Sequence, residues 1–356
     1  MNNRNRHIGL DVLRLILALM VFGLHSGYNL QCTYGCATDF VSRGSMAMSG
    51  FFLLSGYVLF LAYKERNLLA IKEAGRFYVK RLVTIIPIYY LIAVLYAIVR
   101  SHEPLGDHLY LALYEVTGLQ TVFSGLFSFS HNGSTWFISC LLLCYLLYPF
   151  IQEMSRQFSN KGRIIAACAL TVLVIWAPFV QSRFALGDVY TNPFFRILEF
   201  SVGVLIAQLN EQKGNDDVSL RVVRSGCFLV VDVIILVACV SMLRLDSMMK
   251  YNSIAMPLFA LALFSIDSPK MQSGRNFKVL SYCCKISYPF FLVQNLLWPG
   301  ARIVLDIIGH DGNGLRIGVY FIVCVVGAAV TYEVAGRPFI KLYNRFASKR
   351  CVTHIS

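Results

Sequence analysis

"RHIGLDVLRLILALMVFGLH" (residues 6–25) is a strongly apolar run that carries Asp11, Arg14 and His25. Asp11 and Arg14 stand three residues apart and share a helix face. Arg14 and His25 are eleven residues apart. At 3.6 residues per turn that is almost three whole turns, which puts both on one stripe roughly 16 Å apart along the axis. A helix facing lipid on all sides could not hold such a stripe cheaply, because ionisable groups within spans face a bundle interior or a watery cavity. Two plainer readings stand beside this one. Asp11 and Arg14 form an interfacial pair, with Arg14 snorkelling to the inner headgroups, and His25 hydrogen-bonds a neighbouring helix as structural glue.

The rest of the chain settles the setting of that run. Of 356 residues, 57% are hydrophobic and only 14% charged, and the mean hydropathy is +0.61. Soluble domains carry about 25% charged residues, so the chain has too few charges to coat a water-exposed surface. Apolar runs recur at about 8–28, 45–63, 82–99, 136–153, 164–181, 194–209, 226–243, 251–266, 286–308 and 317–335. Most are near the roughly 20 residues that a bilayer core requires of a helix. These predict an all-α, polytopic membrane protein of about ten transmembrane helices. One integral membrane domain fills residues 1–356, with spans from about 8 to 335 and a short basic tail at 337–356. The stretch "HLYLALYEVTGLQTVFSGLF" (108–127) is interrupted by Glu115, Gly118 and Gln120, and reads as interfacial or re-entrant.

The positive charge orients the bundle. With both termini cytoplasmic, the inner segments hold 23 of the 32 Lys and Arg residues and the outer loops hold six, with Arg14, Arg196 and Arg302 inside spans. Cytoplasmic loops carry that excess, and an eleventh span at 108–127 would invert every later loop. The net charge of +13 therefore reports topology and attraction to the inner leaflet, and no nucleic-acid partner is expected. The first run is longer than a signal-peptide core and no small-x-small site follows His25, so it reads as a retained span. Most of the cysteines sit in apolar runs as small hydrophobes. Cys32 and Cys36, in "CTYGC", pair if the first outer loop faces an oxidising compartment. No second Cys or His pair stands at zinc spacing, so no metal is expected.

"LDVLRLILALMVFGLH" resembles the start of the acyltransferase-3 family of integral membrane acyltransferases, which has Leu-Asp-x-Leu-Arg and an Arg-x10-His spacing. Arg14 and His25 match that spacing. Further stretches resemble family motifs in order: "SGFFLLSGYVL" (49–59), "FYVKRLVTIIPIYYL" (77–91), "STWFISCLLLCYLLYPF" (134–150), "NPFFRILEFSVGVLIA" (192–207) and "ISYPFFLVQNLL" (286–297). The chain departs from the family where Arg-x-x-Arg reads Arg81 then Thr84. It departs again where Gln294 stands for a His, and where Gly336 replaces the Glu of Glu-x-Pro. Ending soon after the tenth run, it resembles the stand-alone type without a fused hydrolase-like domain.

That resemblance implies transfer of an acyl group, commonly acetyl from acetyl-CoA, to a sugar hydroxyl of a surface or lipid-linked glycan, in a bacterial inner (plasma) membrane. Acyl-CoA would be a donor substrate rather than a permanently bound cofactor. Acyl-CoA, the saccharide acceptor and membrane lipids are the expected partners. CoA is a cytoplasmic polyanion, and Arg81, Lys80 and Arg76 lie in a basic inner loop where they either contact its phosphates or serve only as a positive-inside anchor. Attack by a neutral hydroxyl on a thioester needs a base, and neutral imidazole suits that near pH 7. His25 is the one His in a confident span. It acts as a general base, or accepts the acyl group covalently and relays it. Arg14 would guide the CoA end. Arg196 and Glu199, three apart, read as an internal ion pair, with Glu199 as a second base or acceptor contact the lesser reading. Trp136 reads as an interfacial belt residue or a platform for a sugar face, Ser55 and Gly56 as a close-packing pair, and Tyr288 as a cross-bundle hydrogen-bonder. A transporter or flippase, or a non-catalytic subunit of the same fold, is the competing class. Against a transporter, no inverted repeat or matched pair of broken helices is visible.

Overall fold

The computed structural model describes residues 7–100, 104–123, 131–184, 188–211, 218–243, 245, 247–266 and 275–352. Helices form along every one of the ten apolar runs: α1 (Ile8–Leu30), α2 (Ala47–Tyr63), α3 (Ile71–Val99), α5 (Trp136–Arg156), α6 (Asn160–Phe184), α7 (Pro193–Glu211), α8 (Val218–Met242), α9 (Met248–Ser265), α10 (Arg275–Ile308) and α11 (Asn313–Thr331). Two further long helices are α4 (Leu105–Thr117) and α12 (Arg337–Val352), and single helical turns form at Thr38–Val41 and Gln120–Phe123. No strand occurs among the described residues.

Seven helical stretches among the described residues are long and apolar enough to cross a bilayer, against the ten expected. The shortfall has a physical reason. α7 carries Arg196, Glu199 and Gln208, and α9 carries Asn252 and Ser253, all buried against other helices and not facing lipid. α8 is a 25-residue helix, of which the apolar stretch Gly226–Met242 is described in full. Within residues 108–123, the described part of the segment 108–127, the chain does not form one span. α4 ends at Gly118, whose φ of +65° is the left-handed conformation that suits glycine, and a single turn, Gln120–Phe123, follows. The basic tail is helical as far as Val352, beyond which residues 353–356 lie outside the described residues: a π-helical turn, Tyr332–Gly336, carries α11 into α12.

Contacts along the helices fix their relative directions. Asp11 O accepts from Cys284 Sγ (3.7 Å) and His25 meets Gln294 further along both chains, so α1 and α10 run parallel. Parallel entry requires an even number of traverses from the start of α1 to the start of α10. The eight apolar runs from 8–28 to 251–266 meet it, and an added span at 108–127 would not. α2 and α7 are likewise parallel, joined by Ser49–Glu199 near one end and Tyr57–Asn210 near the other.

α2, α5 and α7 form the centre, and the flanks of α6, α8 and α11 present exposed Val, Ile, Leu and Phe outward, as expected of a lipid-facing perimeter. The α2–α7 crossing depends on two glycines. A Cβ on Gly56 would lie 2.0 Å from Phe200 O, and one on Gly203 would lie 2.0 Å from Leu53 O. The backbones meet where no larger residue fits, the close approach that small residues permit between membrane helices. Gly56 therefore has its expected packing role; its neighbour Ser55 is half-buried on the same helix.

Candidate active site

His25 lies on the last turns of α1, half-buried, where α1 packs along α10. Its Nδ1 donates to Gln294 Oε1 at 2.6 Å. An amide oxygen only accepts, so in the neutral ring the contact leaves Nε2 as the lone-pair nitrogen. Phe291, one turn earlier on α10, has its ring centroid 6.4 Å from the imidazole. Gln294 is itself fully buried and lies between Pro289 and Pro299 of α10. Prolines weaken the internal hydrogen-bond ladder of a helix, and neighbours bond to α10 carbonyls between them. Tyr320 Oη donates to Gln294 O (2.9 Å) and Asn132 Nδ2 to Leu292 O (3.2 Å). A polar ladder extends from the same level. Asn29 Nδ2 donates to Asn295 Oδ1 (3.2 Å) and Tyr320 Oη (3.0 Å), and Asn295 Nδ2 donates to Ser134 Oγ (2.7 Å).

Next to this ladder is a cluster that sequence reasoning missed. Glu115, on α4, accepts from His131 twice, from the backbone N–H (2.8 Å) and from Nδ1 (2.7 Å), with both side chains almost fully buried. His131 Nε2 lies 2.8 Å from His108 Nδ1, and the two rings stack 5.0 Å apart. In the sequence Glu115 reads as an interruption of a weak span and both histidines as loop residues. Their separation of sixteen positions follows no helical period that would join them.

At the other end of α1, Arg14 Nη1 is 3.6 Å from Asp11 Oδ1. Arg81, on α3, donates to Tyr63 Oη at 3.0 Å, and its guanidinium lies over the rings of Tyr63 (5.1 Å), Phe77 (5.8 Å) and Tyr145 (5.8 Å). Tyr145 lies within electrostatic reach of both Arg14 and Arg81, so the two cations share one region. Arg81 Nε is buried and has no hydrogen-bond partner. Lys80 Nζ approaches the Tyr63 ring at 5.8 Å. Arg76 is instead held by Glu73 at 2.5 Å, as is Arg66 at 3.1 Å. Thr84, at the second Arg position of the family pattern, turns its hydroxyl back to Lys80 O (2.7 Å).

Arg196 and Glu199 are three residues apart on α7 and fully buried, with Arg196 Nη1 at 3.0 and 2.8 Å from the two carboxylate oxygens. Ser49 Oγ donates to Glu199 Oε1 (2.6 Å), Asn252 Nδ2 donates to Ser49 Oγ (3.1 Å), and Arg196 Nε donates to Tyr190 O (2.8 Å). The guanidinium sits over Tyr190 (4.8 Å), Trp136 (5.3 Å) and Phe52 (5.4 Å). Trp136, 4% exposed, is thus an interior wall of this cage, placed neither on the lipid-facing perimeter nor on an open platform. Tyr288 Oη donates to Ile85 O on α3 (3.3 Å), the expected cross-bundle bond. A Cβ on Gly336 would sit 2.9 Å from Tyr332 and 3.0 Å from Ile88, so the residue that replaces the family's Glu lies against α3 where a longer side chain has little room. Cys32 and Cys36 are free thiols, the first buried and the second exposed.

The structure therefore brings Arg14 and Arg81 to one end of the bundle, sets His25 among amides and hydroxyls further along α1, and seals Arg196–Glu199 in a separate interior layer. Residues 7–333 match the acyltransferase domain. Acyltransferase MdmB of Streptomyces mycarofaciens is 23% identical over 376 residues, covering 94% of this chain and 91% of that protein. No solved structure matches. With the domain matched over nearly the whole chain, and with apolar helices long enough to span a bilayer, the protein belongs to the acyltransferase-3 family of integral membrane acyltransferases.

Proposed function

We propose that the protein moves an acetyl group from cytoplasmic acetyl-CoA to a hydroxyl of a surface or lipid-linked glycan, with His25 as the general base. The hydrogen bond from His25 Nδ1 to Gln294 Oε1 carries this reading. It fixes the tautomer of the neutral imidazole in which Nε2 carries the lone pair that takes a proton. The acceptor O–H gives its proton to Nε2 as its oxygen bonds to the thioester carbonyl carbon. The carbon–sulfur bond then breaks, and the leaving thiolate takes that proton from His25 to become the CoA thiol. Arg14 and Arg81 would meet the CoA phosphates, roughly 16 Å along the stripe from His25, a separation the extended pantetheine arm of CoA is built to bridge. The amides and hydroxyls of Asn29, Asn295 and Ser134 supply the donors and acceptors that a saccharide requires.

Arg196 and Glu199 belong, in this reading, to the scaffold, because they pair with each other at 2.8 and 3.0 Å inside a fully buried cage of aromatic rings. The test compares His25→Gln with the parent protein. A general base contributes about 10²–10⁴ in rate. Gln preserves hydrogen bonding but cannot take a proton, so the variant should insert and unfold like the parent while losing nearly all turnover of acetyl-CoA. Mass spectrometry of surface glycan from cells with and without the chain identifies the product. A stable His25→Gln protein that still acylates refutes the role of His25, and glycans that are identical in the two cells refute the acceptor.

A further inference from the structure

Gln294 is buried with no exposed surface, yet its amide is only half used. Oε1 accepts from His25 Nδ1, while Nε2 is buried with no hydrogen-bond partner. An orphaned buried donor is costly, so it is tolerated where something else uses it. Its place is specific. The amide's covalent geometry holds the free N–H next to the same imidazole. Gln294 O is tied to Tyr320 Oη (2.9 Å), and Asn132 grips the backbone two residues earlier at Leu292 O (3.2 Å). The side chain therefore projects from a backbone fixed from two neighbouring elements, as preorganisation requires.

We propose that Gln294 is a second catalytic residue, whose Nε2–H donates to the oxyanion formed when the acceptor attacks the thioester. The assignment rests on the reading of His25 as the base. In the step, the acceptor oxygen bonds to the carbonyl carbon while its proton passes to His25 Nε2. The carbonyl π pair moves onto oxygen, where the Gln294 N–H meets it. On collapse that pair re-forms the C=O bond, the C–S bond breaks, and the thiolate is protonated by His25. One amide thus serves both partners: its oxygen sets the tautomer of the base, and its nitrogen receives the charge the base helps to create. The position where the sequence departs from the family's His keeps a side chain that can both accept and donate.

The two halves of the amide can be separated by substitution. Gln294→Glu retains an oxygen to accept from His25 Nδ1 and removes the N–H. Gln294→Met removes both. Loss of one oxyanion donor lowers kcat by about 10²–10³. In detergent, with acetyl-CoA as the varied substrate, Gln294→Glu should show that fall in kcat and Gln294→Met a larger one, with KM for acetyl-CoA within about twofold of the parent in both. A purely structural role would move the thermal midpoint, or KM and kcat together. If Gln294→Glu turns over at the parental rate while His25→Gln is inactive, the oxyanion role is wrong and the base stands. If a stable His25→Gln protein is active, the base reading fails first and the Gln294 assignment fails with it.

Discussion

Replacing Glu199 by Gln removes the counter-charge of a guanidinium that has no exposed surface. Breaking a buried ion pair by deleting one partner costs about 3–5 kcal/mol, because the other charge is left uncompensated. Gln keeps one carbonyl oxygen for Arg196 or Ser49, which returns about 1 kcal/mol. The rings of Tyr190, Trp136 and Phe52 already stabilise the cation and are unchanged. The expected loss is therefore about 2–4 kcal/mol, a large share of the roughly 5–15 kcal/mol that holds an ordinary domain together. The double variant Arg196→Met with Glu199→Leu removes both charges and should recover most of that loss, since apolar replacements of buried pairs are often neutral or better. Thermal unfolding in detergent, run on both singles and the double, gives the coupling directly. Acylation measured per folded molecule, well below each midpoint, should stay near parental. A Glu199→Gln protein with the parental midpoint and no turnover would refute the reasoning, because Glu199 would then act on substrate.

Arg14→Ala and Arg81→Ala should each raise KM for acetyl-CoA while leaving insertion intact. A folded variant of either with parental KM removes that residue from the donor site. The 23-to-6 charge asymmetry predicts that a single cysteine at His310 labels from outside intact cells, in a background lacking reactive native thiols. One at Glu65, 86% exposed, should label only after the inner leaflet is breached, and the opposite pattern would invert the topology.

The parts of this protein written in short-range periodicity are the parts a reader can extract from the sequence. The Asp11–Arg14 pair, the Arg14–His25 stripe and the Arg196–Glu199 pair all follow from 3.6 residues per turn. The even number of traverses before α10 follows from the distribution of Lys and Arg. What stays hidden depends on partners far away in the chain. Trp136 reads as interfacial because it opens a span after a polar loop, and only the packing of α2 and α7 shows that it walls in Arg196. Gln294 reads as a departure, and its meaning comes from α1. α7 and α9 look like spans by length, yet their polar residues are matched by other helices, which hydropathy cannot see. Glu115 and His131 meet only because α4 folds back over the start of α5.

The hydrogen bond between His25 and Gln294 joins residues 269 positions apart. At about 5–20 residues per second of synthesis, roughly 15–55 s separate the emergence of the two from the ribosome. During that interval the first helix precedes the partner that its imidazole meets in the finished fold. If His25 is the base, as proposed above, its pairing with Gln294 makes catalytic competence an end-of-translation event, and a chain halted before α10 would lack the contact that orients the imidazole.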